Sequence, residues 1–313
     1  MAWNGSDRLK AGFVSLVGRP NAGKSTLLNR IIGTKLAIVS DKPQTTRNRI
    51  LGVKNYGEGQ VVFLDTPGIH RPLHRMNVRM VDTAVETMQQ ADVLGLIADA
   101  TARPGGGDRY VLDLLKDVSV PTLLVLNKID LLARPRLLPL IDQYRLRYDF
   151  AEIVPVSAAR GENVDRLERL FLDYLPEGAP LYPADYLTDQ PERFFVAEIV
   201  REKLLQHTRA ELPFTTAVVV DSFEEPGDKG ILRLYCTIVV ERESQKPIVI
   251  GHGGEMIKRI GTSARVEMEA FFDTRVFLDL RVKVREQWRE DERVLDQLGL
   301  RGTRPDRGPR TRP

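Results

Sequence analysis

A chain of 313 residues, 42% hydrophobic and 28% charged, has room for two modest cores and the charge content of an ordinary soluble protein. Its one cysteine, Cys236, excludes an intrachain disulfide and suits a reducing cytosol. Lys+Arg outnumber Asp+Glu by 24 to 20 over residues 1–180, but number 22 against 23 over 181–313, so RNA binding would have to rest on a local patch rather than on bulk charge. The opening MAWNGSDRLK lacks the apolar run of a signal peptide, and no stretch approaches the roughly 18 apolar residues of a membrane span. A cytoplasmic location is expected, with peripheral contact at a membrane surface left open.

Residues 12–175 alternate apolar strands with amphipathic helices. The strands are GFVSLVG (12–18), QVVFLDT (60–66), DVLGLIAD (92–99), TLLVLNK (122–128) and EIVPVS (152–157), and RNRILGVKNY (47–56) adds an edge strand in a hairpin with 60–65. Helices are expected near 24–33, 74–90, 107–117, 135–147 and 163–175. Short, nearly continuous apolar runs separated by helices predict a doubly wound parallel α/β sheet.

GRPNAGKS (18–25) follows the first strand and opens a helix, the context that gives G-x-x-x-x-G-K-[ST] its meaning. The amides of Gly18, Arg19, Pro20 (through its neighbours), Asn21, Ala22 and Gly23 cradle phosphates, Lys24 neutralises the β- and γ-oxygens, Ser25 binds Mg²⁺, and Thr26 continues the helix N-terminus. In PQTTR (43–47), Thr46, with Thr45 as alternate, is expected to close over Mg²⁺. DTPG (65–68) ends the next parallel strand. Asp65 suits a hold on Mg²⁺ through water, the Gly68 N–H meets the γ-phosphate, and Thr66 and Pro67 between them count among the nucleotide-binding residues. Catalysis is assigned to Lys24, Thr46, Asp65 and Gly68. Ile69 stands where many GTPases carry a water-orienting glutamine, so slow intrinsic hydrolysis is expected.

NKID (127–130) and SAA (157–159) select the base. Asn127 reads the N7 edge of a purine, Asp130 accepts from the N1–H and 2-amino groups that only guanine has, Lys128 lies along the base, and the Ala158 N–H, between Ser157 and Ala159, donates to O6. The cofactors expected are therefore GTP/GDP and Mg²⁺.

Residues 177–191, with the four prolines of 176–191, read as a linker. Beyond it, Val196, Ile199, Val200 and Leu204 share a helical face over 192–207. Two strands (215–223, 231–243), helical stretches to about 272, a strand (275–284) and a short helix near 288–298 follow. This α-β-β-α-α-β order carries Gly251-His252-Gly253-Gly254 between its middle helices, and resembles a type II KH domain, an α+β fold whose G-x-x-G loop clamps single-stranded RNA. Residues 246–285 hold eight Lys+Arg against five Asp+Glu, and Lys246, Lys258, Arg259 and Arg265 are the expected phosphate contacts. Residues 299–313, with five arginines and no apolar pattern, read as a disordered basic tail. His70 and His74 have metal-like spacing but no visible third ligand, Glu290-Asp291-Glu292 reads as a solvated helix start, Cys236 as core, and Trp3 and Trp288 have no evident stacking partners.

GRPNAGKS, PQTTR, DTPGIH, NKID, SAA and VIGHGGEMIKRIG, in that order across residues 10–300, resemble the Era family of GTPases. The resemblance implies a G domain over 10–176 and an RNA-binding KH domain over 192–298. It further implies a GTP-driven switch in 30S subunit biogenesis, with the 3′ end of 16S ribosomal RNA and the pre-30S subunit as partners, no DNA, and association with the inner face of the cell membrane. It also gives Asn21 a role beside a stimulating K⁺ ion. The alternative is an RNA-binding assembly scaffold that holds nucleotide with little turnover.

Overall fold

The computed structural model describes residues 9–42, 44–208, 212–227 and 230–300. A six-stranded sheet is built from β1 (Lys10–Gly18), β2 (Ile50–Tyr56), β3 (Gly59–Asp65), β4 (Val93–Asp99), β5 (Thr122–Asn127) and β6 (Glu152–Pro155) in the order β2-β3-β1-β4-β5-β6. All neighbours are parallel except the β2–β3 hairpin. The strands are apolar on both faces because helices cover both. Leu27, Leu28 and Ile31 of α1 (Lys24–Ile32) and Leu167 and Phe171 of α5 (Val164–Tyr174) pack on one side. Ala84 and Met88 of α2 (Arg75–Gln89), Val111 and Leu115 of α3 (Gly106–Leu115), and Leu140 and Tyr144 of α4 (Leu137–Arg145) pack on the other. Parallel strands all end on one edge, so the loops carrying GRPNAGKS, DTPG, NKID and SAA converge there.

Residues 176–191 are not a slack connector. The buried Gln60 accepts from the Leu181 and Tyr182 N–H groups and donates to the Tyr182 carbonyl, Val53 N–H donates to Leu187 O, and the stacked rings of Tyr182 and Tyr186 cover Leu51, Val53, Val62 and Leu64. The segment straps the outer face of the β2–β3 hairpin. Its prolines conceal this, since a strap makes few regular backbone bonds of its own.

The chain continues through α6 (Glu192–His207), α7 (Leu212–Thr215), β7 (Ala217–Glu224), β8 (Ile231–Val240), α8 (Lys246–Ile250), α9 (Glu255–Phe272), β9 (Arg275–Val284) and α10 (Glu292–Gln297). Strand β8 is central, antiparallel to β7 and parallel to β9. Val196, Val200 and Leu204 of α6 and Ile260, Ala264 and Met268 of α9 cover one face of this sheet, with Cys236 in the same core. Trp288 is fully buried, where the sequence shows no partner for it. Its indole N–H donates to Thr215 O at 2.9 Å, and the Arg47 guanidinium lies 5.7 Å from its ring. It shares a cluster with Met76 and Met80 of α2, Val294, Leu295 and Leu300. Leu300, expected in the disordered tail, is therefore packed, and Arg79 donates to its carbonyl. Residues 301–313 and Trp3 lie outside the described residues.

Candidate functional site

Strand β1 runs into a loop that turns at Gly18, Asn21 and Gly23 with φ of +149°, +62° and +96°. A Cβ on Gly18 would lie 2.3 Å from the Ile97 carbonyl oxygen, and one on Gly23 would lie 2.2 Å from Asn127 Nδ2, so packing as well as φ demands glycine. Helix α1 starts immediately after and presents its free amides to the loop. The nearly buried Lys24 donates to the carbonyl oxygens of Gly18 (3.3 Å) and Arg19 (3.0 Å), and burial pulls its ammonium down to about 8 although Asp65 opposes the shift. A buried cation ringed by carbonyls and helix amides is a site for a polyanion. It opens into a cavity of about 340 Å³ walled by Pro20, Asn21, Thr26, Gly68 and residues 38–41 and 44–46. Of the expected nucleotide residues, the Arg19 side chain turns away to Asp108 (2.9 Å), and Thr66 donates to Leu16 O (2.8 Å).

Ser25 Oγ donates to Asp65 Oδ2 at 2.6 Å and lies 2.7 Å from Thr46 Oγ1. Thr45, the alternate, instead donates to Lys42 O at 2.5 Å. Burial pushes the Asp65 carboxyl up to about 6, against the pull of Lys24 and of hydrogen bonds from Ser25, Thr66 and Thr46. Its other oxygen, Oδ1, is buried without a hydrogen-bond partner. Two hydroxyls and a carboxylate with an oxygen still to satisfy form a donor set that fits a hard divalent cation such as Mg²⁺.

At the base end, Asn127 is held at both ends of its amide. Asn127 donates to Ala22 O (2.9 Å) and accepts from the Ala158 N–H (3.0 Å). Asn127 thus braces the phosphate loop against the SAA loop. Asp130 accepts from Ser157 Oγ at 2.7 Å, with Arg160 at 3.6 Å, while Arg30 donates to the Ala158 and Ala159 carbonyls. Lys128, at φ +68°, pairs with Asp99 at 2.6 Å at the end of β4.

Ile69 is 1% exposed and packs among Val17, Ala84 and Met88, so it points into the core rather than at the cavity. His70 contacts Gly68 O (2.9 Å) and Gln44 Nε2 (3.3 Å). His74 contacts Glu290 at 2.9 Å, and no group of three or more His, Cys, Asp or Glu that could hold a metal was found among the described residues. Glu290 and Glu292 are not simply solvated, because they receive His74, Arg75 and Arg79 of the segment following DTPG; Asp291 caps α10. Asn21 Nδ2 donates to Asp41 O at 2.7 Å, tying the phosphate loop to the 36–49 loop.

The second glycine turn is built differently. Gly251, Gly253 and Gly254 have φ of +76°, +57° and +82°. A Cβ on Gly251 would meet Met256, but Gly253 and Gly254 have nothing within 4 Å of theirs, so the turn is an open ledge bearing the exposed His252. A groove of about 300 Å³ lies between α9, the helix that the turn opens, and β9, lined by Ile257, Lys258, Gly261, Arg265, Leu278 and Leu280. Of the four expected cations, Lys258 and Arg265 line it. Arg259 lies 3.8 Å from Glu255, and Lys246 starts α8 away from the groove. Apolar floor and basic rim suit a nucleobase strand.

A family model described as 50S ribosome-binding GTPase matches residues 13–128, and a KH-domain model matches 211–289. The chain is 50% identical over 290 residues to GTPase Era of Geobacter metallireducens, covering 93% of this chain and 97% of that one, and 51% identical over 292 residues to GTPase Era of Geotalea uraniireducens, covering 93% and 98%. It is similar to an Aquifex aeolicus Era variant bound to GDP·AlF₄⁻, and to Era in complex with MgGDPNP and nucleotides 1506–1542 of 16S ribosomal RNA. Each match has a TM-score of 0.90 at 43% identity and covers 93% of this chain and 99% of the other. The chain is a GTPase and belongs to the Era family.

Proposed function

We propose that the chain couples GTP binding and hydrolysis to its hold on the 3′ end of 16S ribosomal RNA during assembly of the 30S subunit. The observation that carries this reading is the pair of anion-accepting turns on one chain, one sealed against a cation-ready cluster and one open beside an apolar groove. Ser25, Thr46 and, through water, Asp65 would hold Mg²⁺, which supplies charge neutralisation at the β- and γ-phosphates. Lys24 and the α1 amides bind the same phosphates, Asp130 accepts from guanine, and the Gly68 amide faces the terminal phosphate. Ile69 leaves the attacking water without a glutamine, so turnover is slow. The position of Asn21 between the phosphate loop and Asp41 supports a K⁺ ion there as an added source of positive charge.

The 36–49 loop and the segment 65–80, which runs into α2, report the nucleotide state to the RNA-binding half. Residues His74, Arg75 and Arg79 already reach Glu290, Glu292 and Asp296 across that junction. Affinity for a 16S 3′-end oligonucleotide is expected to differ between the GDP form and the form loaded with a nonhydrolysable GTP analogue; equal affinities would remove the coupling. Among the described residues no helix is long and apolar enough to cross a membrane. Peripheral attachment to an anionic membrane face finds support in the exposed Leu138 and Leu146 beside Arg145 and Arg147, and sedimentation with anionic vesicles tests it.

A further inference from the structure

The 36–49 loop must hold Thr46 beside Ser25, yet it has little regular structure with which to do so. Where its backbone groups are satisfied is therefore informative. At its start, Asn29 Oδ1 accepts from the Leu36 and Ala37 N–H groups at 2.9 Å each. In its middle and toward its end, besides Asn21 on Asp41 O and Gln190 on Arg49 O, partners come from helix α6, on the far side of the strap. Glu202 Oε1 accepts from the Val39 N–H at 3.0 Å, and Arg201 Nη2 donates to the Thr45 carbonyl, one peptide away from Thr46. Arg47, next after Thr46, donates to Thr216 O at 2.8 Å in the same half of the molecule.

These α6 groups are not surface charges that happen to touch the loop. Arg201 and Glu202 are each 3% exposed. Arg201 is aimed by a two-point pair with Glu198, its Nε at 2.7 Å from one carboxylate oxygen and its Nη2 at 2.6 Å from the other. Glu202 also takes Lys35 at 2.6 Å and Lys203 at 3.1 Å. Burying an arginine and two carboxylates has a large desolvation cost, and replacing such a set by apolar side chains is often neutral or stabilising. The set is therefore a poor device for holding two domains together, but a good one for fixing one peptide carbonyl and one amide in place.

We infer that Arg201 and Glu202 are positioning residues for GTP hydrolysis: α6 supplies in cis the donor and acceptor that hold the 36–49 loop closed, with Thr46 Oγ1 at 2.7 Å from Ser25 Oγ. The nucleotide site is then completed from outside its own sheet. A shift of α6 relaxes Thr46, so the RNA-binding half governs hydrolysis through a peptide bond rather than through an inserted catalytic side chain. The dependence also predicts an asymmetry between nucleotides. GDP relies on the phosphate loop and NKID, whereas the triphosphate also needs Thr46 in place.

The test uses the full chain. Arg201→Gln is expected to lower kcat about 10- to 100-fold, to raise the Mg²⁺ concentration for half-maximal hydrolysis about tenfold, and to weaken a fluorescent nonhydrolysable GTP analogue about tenfold. Fluorescent GDP affinity should stay within about twofold, and Arg201→Lys, which keeps a donor for the Thr45 carbonyl, should recover much of the loss. Glu202→Ala, which frees the Val39 amide and leaves Lys35 and Lys203 on Glu267 alone, should move the same quantities in the same direction by less, and serves where Arg201→Gln does not fold. A folded variant with unchanged kcat, Mg²⁺ requirement and analogue-to-GDP affinity ratio overturns the inference. So does a variant in which GDP and analogue affinity fall together, since that is what loss of packing alone would do.

Discussion

The two glycine turns look alike in sequence and are opposites in structure. At Gly18 and Gly23 an added Cβ would run into backbone and an amide within 2.3 Å, so that turn is locked between β4, β5 and α1. At Gly253 and Gly254 an added Cβ would meet nothing within 4 Å. The first turn is a mould made before its ligand arrives, and its electrostatics are already strained: a lysine drawn down to about 8 and an aspartate pushed up to about 6. The second is a ledge whose glycines leave room for a sugar-phosphate chain to approach. A mould gives affinity through preorganisation, whereas a ledge gives access and leaves selectivity to the groove beside it.

The contrast breaks most visibly at Gly23. Gly23→Val places a branched side chain at φ +96° and against Asn127 Nδ2, the amide that ties the phosphate loop to the SAA loop. Fluorescent-GDP binding should weaken by at least about 100-fold, on the order of 3 kcal/mol, while RNA affinity of the nucleotide-free protein is retained. A Gly23→Val protein that still bound GDP would show that the loop is not a rigid mould.

Gly253→Asp makes the complementary cut. An aspartate tolerates φ near +57° at a cost of about 1 kcal/mol, and space is open, so the melting temperature should hardly move and GTP binding should be unaffected. The carboxylate stands where an RNA phosphate would sit, and affinity for the 16S 3′-end oligonucleotide should fall about 10- to 100-fold by the loss of close approach and added repulsion. Intact RNA binding would mean that the ledge is not the clamp.

The strain in the mould also has a pH signature. Burial raises the Asp65 carboxyl above its ordinary value, so the nucleotide-free fold takes up a proton there that the unfolded chain does not hold. That contribution to stability is fully present below about pH 4 and is lost as pH rises through about 6. Mg²⁺ prefers the ionised form, so Mg²⁺·nucleotide affinity should run the other way, weakening up to about tenfold for each unit below 6. Denaturation midpoints and Mg²⁺ titrations between pH 5 and 7.5, read as changes with pH and with Asp65→Asn as control, check both signs; the asparagine variant should lose this component of each slope.

How much of this is legible in the sequence follows the same division. GRPNAGKS, DTPG, NKID and SAA are local, and each sits at the end of a parallel strand whose apolar run announces it, so one sheet edge could be assembled from spacing alone. The order of helices and strands around Gly251–Gly254 likewise carried the second fold. What stayed hidden are the contacts between distant segments that follow no period. Arg201 and Glu202 lie on α6 between the residues that face its core, and nothing local says that the 36–49 loop will cover them. Gln60 gives no hint of the strap, nor Trp288 of Arg47. The Asn127–Ala158 bond joins two motifs 31 residues apart, and neither motif alone announces it.

The smallest effects distinguish groove-lining cations from neighbouring ones. Lys258 lines the groove and has no salt bridge among the described residues, whereas Arg259, one residue on, faces Glu255 one helical turn back at 3.8 Å. A lysine that neutralises one phosphate of a single strand should contribute about 0.7 to the slope of log K against log salt. Lys258→Ala should therefore flatten that slope by about this amount and weaken RNA binding a few-fold at moderate salt. Arg259→Ala removes a charge already shared with a carboxylate in water and should leave the slope almost unchanged. Equal slopes in the two variants would mean that the strand lies across the helix face instead of along the groove, and that the ledge alone sets its path.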